Sequence, residues 1–491
     1  MTATEPTIQA PPEPRAPEPP TLLQRSVRGV SWQILGLGVE RLSRFASNVI
    51  LARMLTKGDF GLLGIVVAAV TAFDALTHVA ANEALIFSNR GRERSFQDTL
   101  FWISALRGVL LGLALACAAP MLAGYYEEPR ALKMFVVVGL FPFFLGLSSP
   151  RIGVLEKDLE YRRIALWSLG ASLGATALTL GLALWLRSAW ALVLGLVGMQ
   201  AFKAAGSYIV APFRPRLCFS REHFAEIRTY FTRAAGTPFL IALVLQAPAL
   251  LLGKFHGTDA VGVFFLNFTL AYLPSSMSLQ AIGRVAIPAY SELKDDRVRL
   301  TRAWLTALRT IAFASLPLSA VLAMMGNDLP RIVYRDAFVG PDGLFSLLAV
   351  GGGLASLLAV TGPLFWGVGR PSYDRWTQLL RVAVIYGLGA WLVWAHAENG
   401  LATTLIIGVV AAFGLSLTFV RTIIDARLGD IGRALLPGVG LSVVVVVALA
   451  MLHALLGWTG IAKLVIDTIL GAIVGGIVLR SIWRERRRPR F

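Results

Sequence analysis

Cysteine is nearly absent from this chain, histidine is scarce, and charge of either sign is thin. Two cysteines and five histidines stand among 491 residues, and only 15% of the residues are charged. Cys117 lies in an apolar run and Cys218 in a basic loop, so they offer no metal-ligand spacing and no disulfide is expected. The chain has no G-x-x-x-x-G-K run, which excludes ATP hydrolysis by a P-loop. It has no H-E-x-x-H, no nucleophile elbow and no Cys/His cluster, so neither an enzyme nor a metal or cofactor site is expected. Residues 1–20 are rich in Pro, Glu and Ala and have no apolar core, so they do not read as a cleavable signal. Such a segment buries too little apolar surface to offset its ordering entropy, which predicts a disordered tail over 1–25.

What the chain does have is hydrophobic length. Its residues are 56% hydrophobic and its mean hydropathy is +0.67. Apolar runs of helix-spanning length recur, each able to cross ~30 Å of hydrocarbon. The pattern predicts an all-α polytopic membrane protein with about fourteen spans, near 29–51, 59–80, 98–120, 131–149, 164–186, 189–211, 234–253, 260–283, 304–325, 343–366, 376–396, 400–422, 434–456 and 460–482. Pro238, Pro248 and Pro274 predict kinks in the seventh and eighth.

The formal charge of +17 belongs to topology and not to nucleic acid, because the basic residues fall between the apolar runs. With a cytoplasmic N-terminus, the inside segments and adjoining helix ends, Arg381 among them, hold about 32 of the 46 Lys and Arg. The outside turns hold about nine. That bias predicts both termini in the cytoplasm. The longest outside turn, near 326–342, is too short to fold as an outer domain. That disfavours membrane glycosyltransferases and polymerases.

Two stretches resemble each other. Residues 50–73 contain LARMLTKGDFGLLG, and residues 251–273 read LLGKFHGTDAVGVFFLNFTLAYL. In each, an apolar helix ends on a base (Arg53, Lys254), a polar turn holds an aspartate (Asp59, Asp259), and a glycine follows (Gly61, Gly262). The repeat suggests a duplicated bundle. Both aspartates are expected to cap the helices after them.

Charges within spans are costly unless they face protein or water, which makes them functional candidates. Glu40, Arg41 and Arg44 lie near the middle of the first span, with Glu40 and Arg44 on one face at i, i+4. Two cations against one carboxylate leave a positive charge for an anionic ligand, and guanidinium suits a diphosphate. The alternative is an internal Glu40–Arg44 pair that pins the helix. Asp74 and His78 at i, i+4 form either a proton relay or a plain hydrogen-bonded pair. Lys203 and Arg107 read as snorkelling residues, with Lys203 also a candidate for the cavity.

The sequence resembles the polysaccharide transporters, including Wzx-type oligosaccharide flippases, of the multidrug/oligosaccharidyl-lipid/polysaccharide exporter superfamily. The resemblance runs from about residue 26 to 480. It is carried by Ser31-Trp32 with ILARMLTKGDFGLLG at 50–64, by RIGVLEKDLEYRRIA at 151–165 and by FRPRLCFSREHFAEIRTYF at 213–231. GRVAIPAYSELKDD at 283–296 and the GVGRP turn at Gly367–Pro371 complete it.

It implies two six-helix bundles around a central cavity, over 26–211 and 212–422. An accessory helix pair over 434–482 and a basic tail over 483–491 follow. It also implies a bacterial inner-membrane flippase whose substrate is a polyprenyl-diphosphate-linked oligosaccharide. Its partners would be membrane lipid and the polymerase and chain-length proteins of polysaccharide assembly. On that reading Arg41, Arg44, Lys203 and Gln246 are the expected substrate contacts, and Glu40, Asp74 and His78 are coupling or structural pairs. The seventh span departs from the family: in ALVLQAPALLL, Gln246 is the only strongly polar residue, so a cation site there is not expected. The competing readings are a cation-coupled multidrug exporter, which calls for a net acidic cavity, and a membrane scaffold that transports nothing.

Overall fold

The computed structural model describes residues 22–77, 90–158, 160–234 and 236–456, with isolated positions near 85–88 and a partial helix over 463–480. The described residues form helices and no strands. Nine of these helices are long and apolar enough to span a bilayer, or ten if the bent pair Ala131–Gly146 and Arg151–Lys157 counts as one span.

The first half holds α1 (Leu22–Met54), α2 (Lys57–Leu76), α3 (Arg94–Tyr125), α4 (Ala131–Val138), α5 (Leu140–Gly146), α6 (Arg151–Lys157), α7 (Tyr161–Leu186) and α8 (Ala189–Val210). α1 begins inside the stretch expected as tail. It packs on α7, α7 on α8, and α3 on α4 and α5, while α8 touches α2, α4 and α5. Thr56 opens α2 with a capping box: its hydroxyl accepts from the Asp59 amide, and Asp59 Oδ2 accepts from the Thr56 amide. The same carboxylate accepts from the Ala189 amide at 2.9 Å through Oδ1, so Asp59 also serves the first turn of α8.

A helix not foreseen, α9 (Arg221–Ala234), lies in the connection between the halves. Its Glu222 pairs with Arg90, and that hydrogen bond holds the Glu222 carboxyl below the usual carboxylate range. The second half follows with α10 (Thr237–Ala247), α11 (Gly257–Ala271), α12 (Leu273–Glu292), α13 (Arg297–Met325), α14 (Asp328–Val333), α15 (Leu344–Gly367), α16 (Pro371–Ile423) and α17 (Leu428–Leu456). α15 contacts α11, α12, α13 and α16, and α17 lies along α13.

The three prolines act differently from one another. Pro238 and Pro274 sit in first turns, where their missing N–H costs nothing. Pro248 alone interrupts a helix, opening a π-helical turn over Pro248–Leu252. The long α16 is two helices joined at Ala397, whose φ of 47° and ψ of −125° are not helical. Residues 326–342 fold back on the bundle: the buried Phe338 meets Phe60 edge-on at 5.5 Å.

Large apolar side chains face outward along the bundle, such as Leu42, Trp185, Ile209 and Leu455. In lipid such exposure is not a cost, which reverses the rule for soluble surfaces. Both cysteines are free.

Candidate functional site

The two repeated stretches pack directly against each other. α2 and α11 cross at their N-terminal ends, and their glycines make the crossing possible. A Cβ on Gly61 would lie 1.7 Å from the Thr258 carbonyl oxygen, and one on Gly262 would lie 1.9 Å from the Lys57 carbonyl oxygen. The contact is reciprocal, each glycine meeting the backbone of the other copy. Lys57 Nζ reaches Asp259 Oδ2 at 3.2 Å across the same crossing. Asp259 therefore bridges the halves. Its helix has His256 at the N-cap with no side-chain cap, which corrects the expected capping role.

Beside this crossing lies a cavity of about 500 Å³. α1 and α2 supply one wall, and α10, α11 and the start of α12 supply the other. One side is polar, with Glu40, Arg41, Arg44 and Asn48 from α1. The other is largely aromatic, with Phe264, Phe265, Phe268 and Tyr272, and Gln246 adds an amide. One carboxylate faces two guanidinium groups among these lining residues, which leaves the lining with a net charge of +1.

The three charges divide as the i, i+4 spacing suggests. Arg44 Nη2 donates to Glu40 Oε1 at 3.0 Å. Ser168 Oγ on α7 donates to Glu40 Oε2 at 3.0 Å, so both carboxylate oxygens are engaged. Arg41 forms no ion pair among the described residues, and its Nη1 donates to the neutral Ser276 Oγ of α12, across the two halves, at 2.5 Å. The unmatched cation in the cavity is therefore Arg41. Arg44 remains 57% exposed while Glu40 is 14% exposed, so Arg44 keeps much of its surface free for a ligand.

The other expected residues lie elsewhere. Lys203, on α8, does not line the cavity, and its carbonyl accepts from Trp167 Nε1 at 2.9 Å. His78 falls outside the described residues. Asp74 is not a lining residue either: its Oδ1 accepts from Arg107 Nη2 at 2.6 Å. Arg107 also donates to the carbonyls of Asp74 and Thr77, both at 2.7 Å. It thus satisfies orphan carbonyls at the end of α2 while pairing a carboxylate. Arg107 is a cap, and the snorkelling reading is corrected. The partner sits 33 residues away on another helix, so no local spacing signals it.

A sequence profile described as "Polysaccharide biosynthesis protein" matches residues 50–340. The succinoglycan biosynthesis transport protein ExoT of Rhizobium meliloti (strain 1021) is 23% identical over 375 residues, covering 76% of this chain and 75% of its own. The lipopolysaccharide biosynthesis protein WzxC of Escherichia coli (strain K12) is 21% identical over 360 residues, 71% of each. Among solved structures, the lipid II flippase MurJ in its inward closed conformation aligns with a TM-score of 0.72 at 13% identity, over 94% of this chain and all of that one. An inward-facing multidrug resistance MATE transporter of the MOP superfamily aligns with a TM-score of 0.61 at 18% identity, over 80% and 98%. At these identities the structural likeness speaks for the fold.

Proposed function

Because the chain belongs to the polysaccharide biosynthesis protein family, within the multidrug/oligosaccharidyl-lipid/polysaccharide exporter superfamily, we propose that it carries an oligosaccharide linked to a polyprenyl diphosphate from the inner to the outer leaflet of a bacterial cytoplasmic membrane. The observation that carries this reading is the unmatched Arg41 beside an exposed Arg44, in a cavity between the two halves. The diphosphate binds these two guanidinium groups. The aromatic wall offers flat apolar faces to the sugars, and the lipid tail stays in the bilayer. The names of the relatives, a succinoglycan transport protein and a lipopolysaccharide biosynthesis protein, support the same substrate class. A cation exporter calls for a net acidic cavity, and the lining here is net positive.

On this reading fourteen spans form two six-helix bundles, 26–211 and 212–422, with the pair 434–482 docked on the second. Rocking of the bundles about the cavity gives alternating access. The α2–α11 crossing is the outer closure. In a strain lacking the protein, lipid-linked oligosaccharide should accumulate on the cytoplasmic leaflet, where an added impermeant lectin cannot reach it in intact cells. Accumulation on the outer leaflet would place the protein after translocation and reject the proposal.

The orientation has its own check. Arg92 and Arg299 are 65% and 73% exposed, and Glu127 and Asp336 are 81% and 87% exposed, so a cysteine at any of them is open to reagent. With Cys117 and Cys218 replaced by serine, an impermeant thiol reagent should label intact cells at Glu127→Cys and Asp336→Cys. It should leave Arg92→Cys and Arg299→Cys unlabelled until the membrane is opened. The reverse pattern would invert the topology and the gate assignment with it.

A further inference from the structure

The second half contains a partly buried cation that the cavity charges do not explain. Arg381, on the first segment of α16, has its Nε buried with no hydrogen-bond partner, and it forms no ion pair among the described residues. Its side chain runs past Gly408 of the second segment, where a Cβ would lie 3.5 Å from the Arg381 Cγ. Near it stands Tyr272, at the break between α11 and α12: a Cβ on Gly351 would lie 3.1 Å from the Tyr272 hydroxyl and 3.3 Å from Ile406, two residues before Gly408. The ring of Tyr272 stacks on Phe268 at 4.0 Å between centroids, and the residue lines the cavity. Its hydroxyl is buried against Gly351 of α15 and also lacks a partner.

The Arg381 Nε and the Tyr272 hydroxyl are thus both buried polar atoms with no partner among the described residues. The acid on the same segment of α16 is already engaged: Asp374 accepts from Trp366 Nε1 at 3.0 Å and from Gln378 Nε2 at 3.3 Å. Burying a charge without a counter-charge is among the costliest arrangements in a folded chain. A chain that carries an unpaired cation behind a cavity-lining tyrosine has a use for a ligand of opposite sign.

We propose that Arg381 and Tyr272 form an oxyanion subsite in the second half, which takes an acidic group borne on the sugar part of the substrate, a uronate carboxylate or a sugar phosphate. It stands apart from the diphosphate contacts on α1 and selects acidic over neutral oligosaccharides. It rests on the flippase reading for its substrate, but not for its affinity for anions.

The test uses the full chain, purified into lipid nanodiscs. Its Tm is followed against glucuronate, glucose 1-phosphate, glucose and inorganic pyrophosphate. One of the two sugar acids should raise the Tm and glucose should not; which acid acts identifies the group. Arg381→Met should raise the Tm of the ligand-free protein, because it removes an uncompensated charge, and should abolish the response to the sugar acid. Its response to pyrophosphate should stay within about twofold of the parent's. Tyr272→Phe should weaken the sugar-acid affinity several-fold at unchanged ligand-free Tm.

An Arg that serves only packing gives the opposite sign: Arg381→Met would lower the Tm or fail to accumulate, and either outcome with an unchanged Tyr272→Phe affinity overturns the subsite. An unaltered sugar-acid response in both variants overturns it as well. Loss of the pyrophosphate response from the parent, with the sugar-acid response intact, would instead reject the diphosphate reading.

Discussion

Alanine at Gly61 or at Gly262 should abolish polysaccharide export while leaving the protein folded and abundant. A methyl group at either place meets a backbone carbonyl at 1.7 or 1.9 Å, where ordinary contact needs 3.4 Å or more. A side chain can rotate away from such a clash, but a carbonyl in a helix cannot without breaking its own hydrogen bond. Overpacking of ordinary cores already costs ~1–3 kcal/mol. The closed crossing should lose at least that, and each 1.4 kcal/mol shifts a population about tenfold. Neither helix suffers alone, since alanine is the better helix former by ~1 kcal/mol. If the crossing is the outer closure proposed above, the substitution opposes that closed state and leaves the open one intact.

Two readouts decide it. Polysaccharide production should fall by roughly tenfold or more, and a cysteine at Gln246 in the cavity should become reactive toward an impermeant reagent outside the cell. Gly181→Ala, where nothing lies within 4 Å, should change neither. The Lys57–Asp259 pair makes a useful contrast. Its side chains are 45% and 58% exposed, and such pairs contribute ~0.2–1 kcal/mol. Lys57→Ala should therefore leave production within about twofold. Full production by Gly61→Ala would remove the crossing from the transport cycle.

This crossing also shows how far the sequence could be read. The two similar stretches are visible as text, and their likeness announces duplication. That the copies meet each other, glycine against carbonyl, is a fact of three dimensions. Hydropathy places the helices because lipid imposes one simple demand, an apolar surface of fixed length. It also separates the two segments of α16, since the spans expected at 376–396 and 400–422 meet at the non-helical Ala397, and it fails where a basic loop hides an amphipathic helix such as α9.

For charges, the sequence gives depth along a helix and not direction. The Glu40–Arg44 pair was legible because i, i+4 spacing fixes it locally. Arg107 reads as a snorkelling residue in the sequence, and what defines it, the end of α2, lies on another helix 33 residues away. Lys203 sits one turn beyond the Met199 that Arg44 touches, but it is not among the residues that line the cavity.

Removing Arg41 and Arg44 together should stop polysaccharide production without lowering the amount of protein. The structure separates this from a folding defect. Breaking a fully buried ion pair costs ~3–5 kcal/mol because the partner is left charged and dry. Arg44 is 57% exposed, however, and Glu40 keeps its bond from Ser168, so the loss falls to ~1 kcal/mol or less. Arg41 gives up only its bond to Ser276. Single alanine variants should therefore accumulate normally, and any loss of production reports ligand contact. Arg41→Ala should be the more damaging single change, because Arg41 is the cation that no carboxylate balances. Arg44→Lys should retain part of the activity, since the charge remains and the bidentate fork is lost.

Glu40→Gln supplies the sign test. It adds net positive charge to the cavity and keeps an acceptor for Ser168, so it should stay active if the cavity serves an anion. The measurement is complementation of polysaccharide production, normalised to protein in the membrane. An Arg41→Ala/Arg44→Ala/Glu40→Gln protein has the same pairing balance as one in which the three charges only hold each other, so a structural role predicts recovery in that triple variant. Ligand binding predicts none, and full production by the triple variant would remove the two arginines from the substrate site.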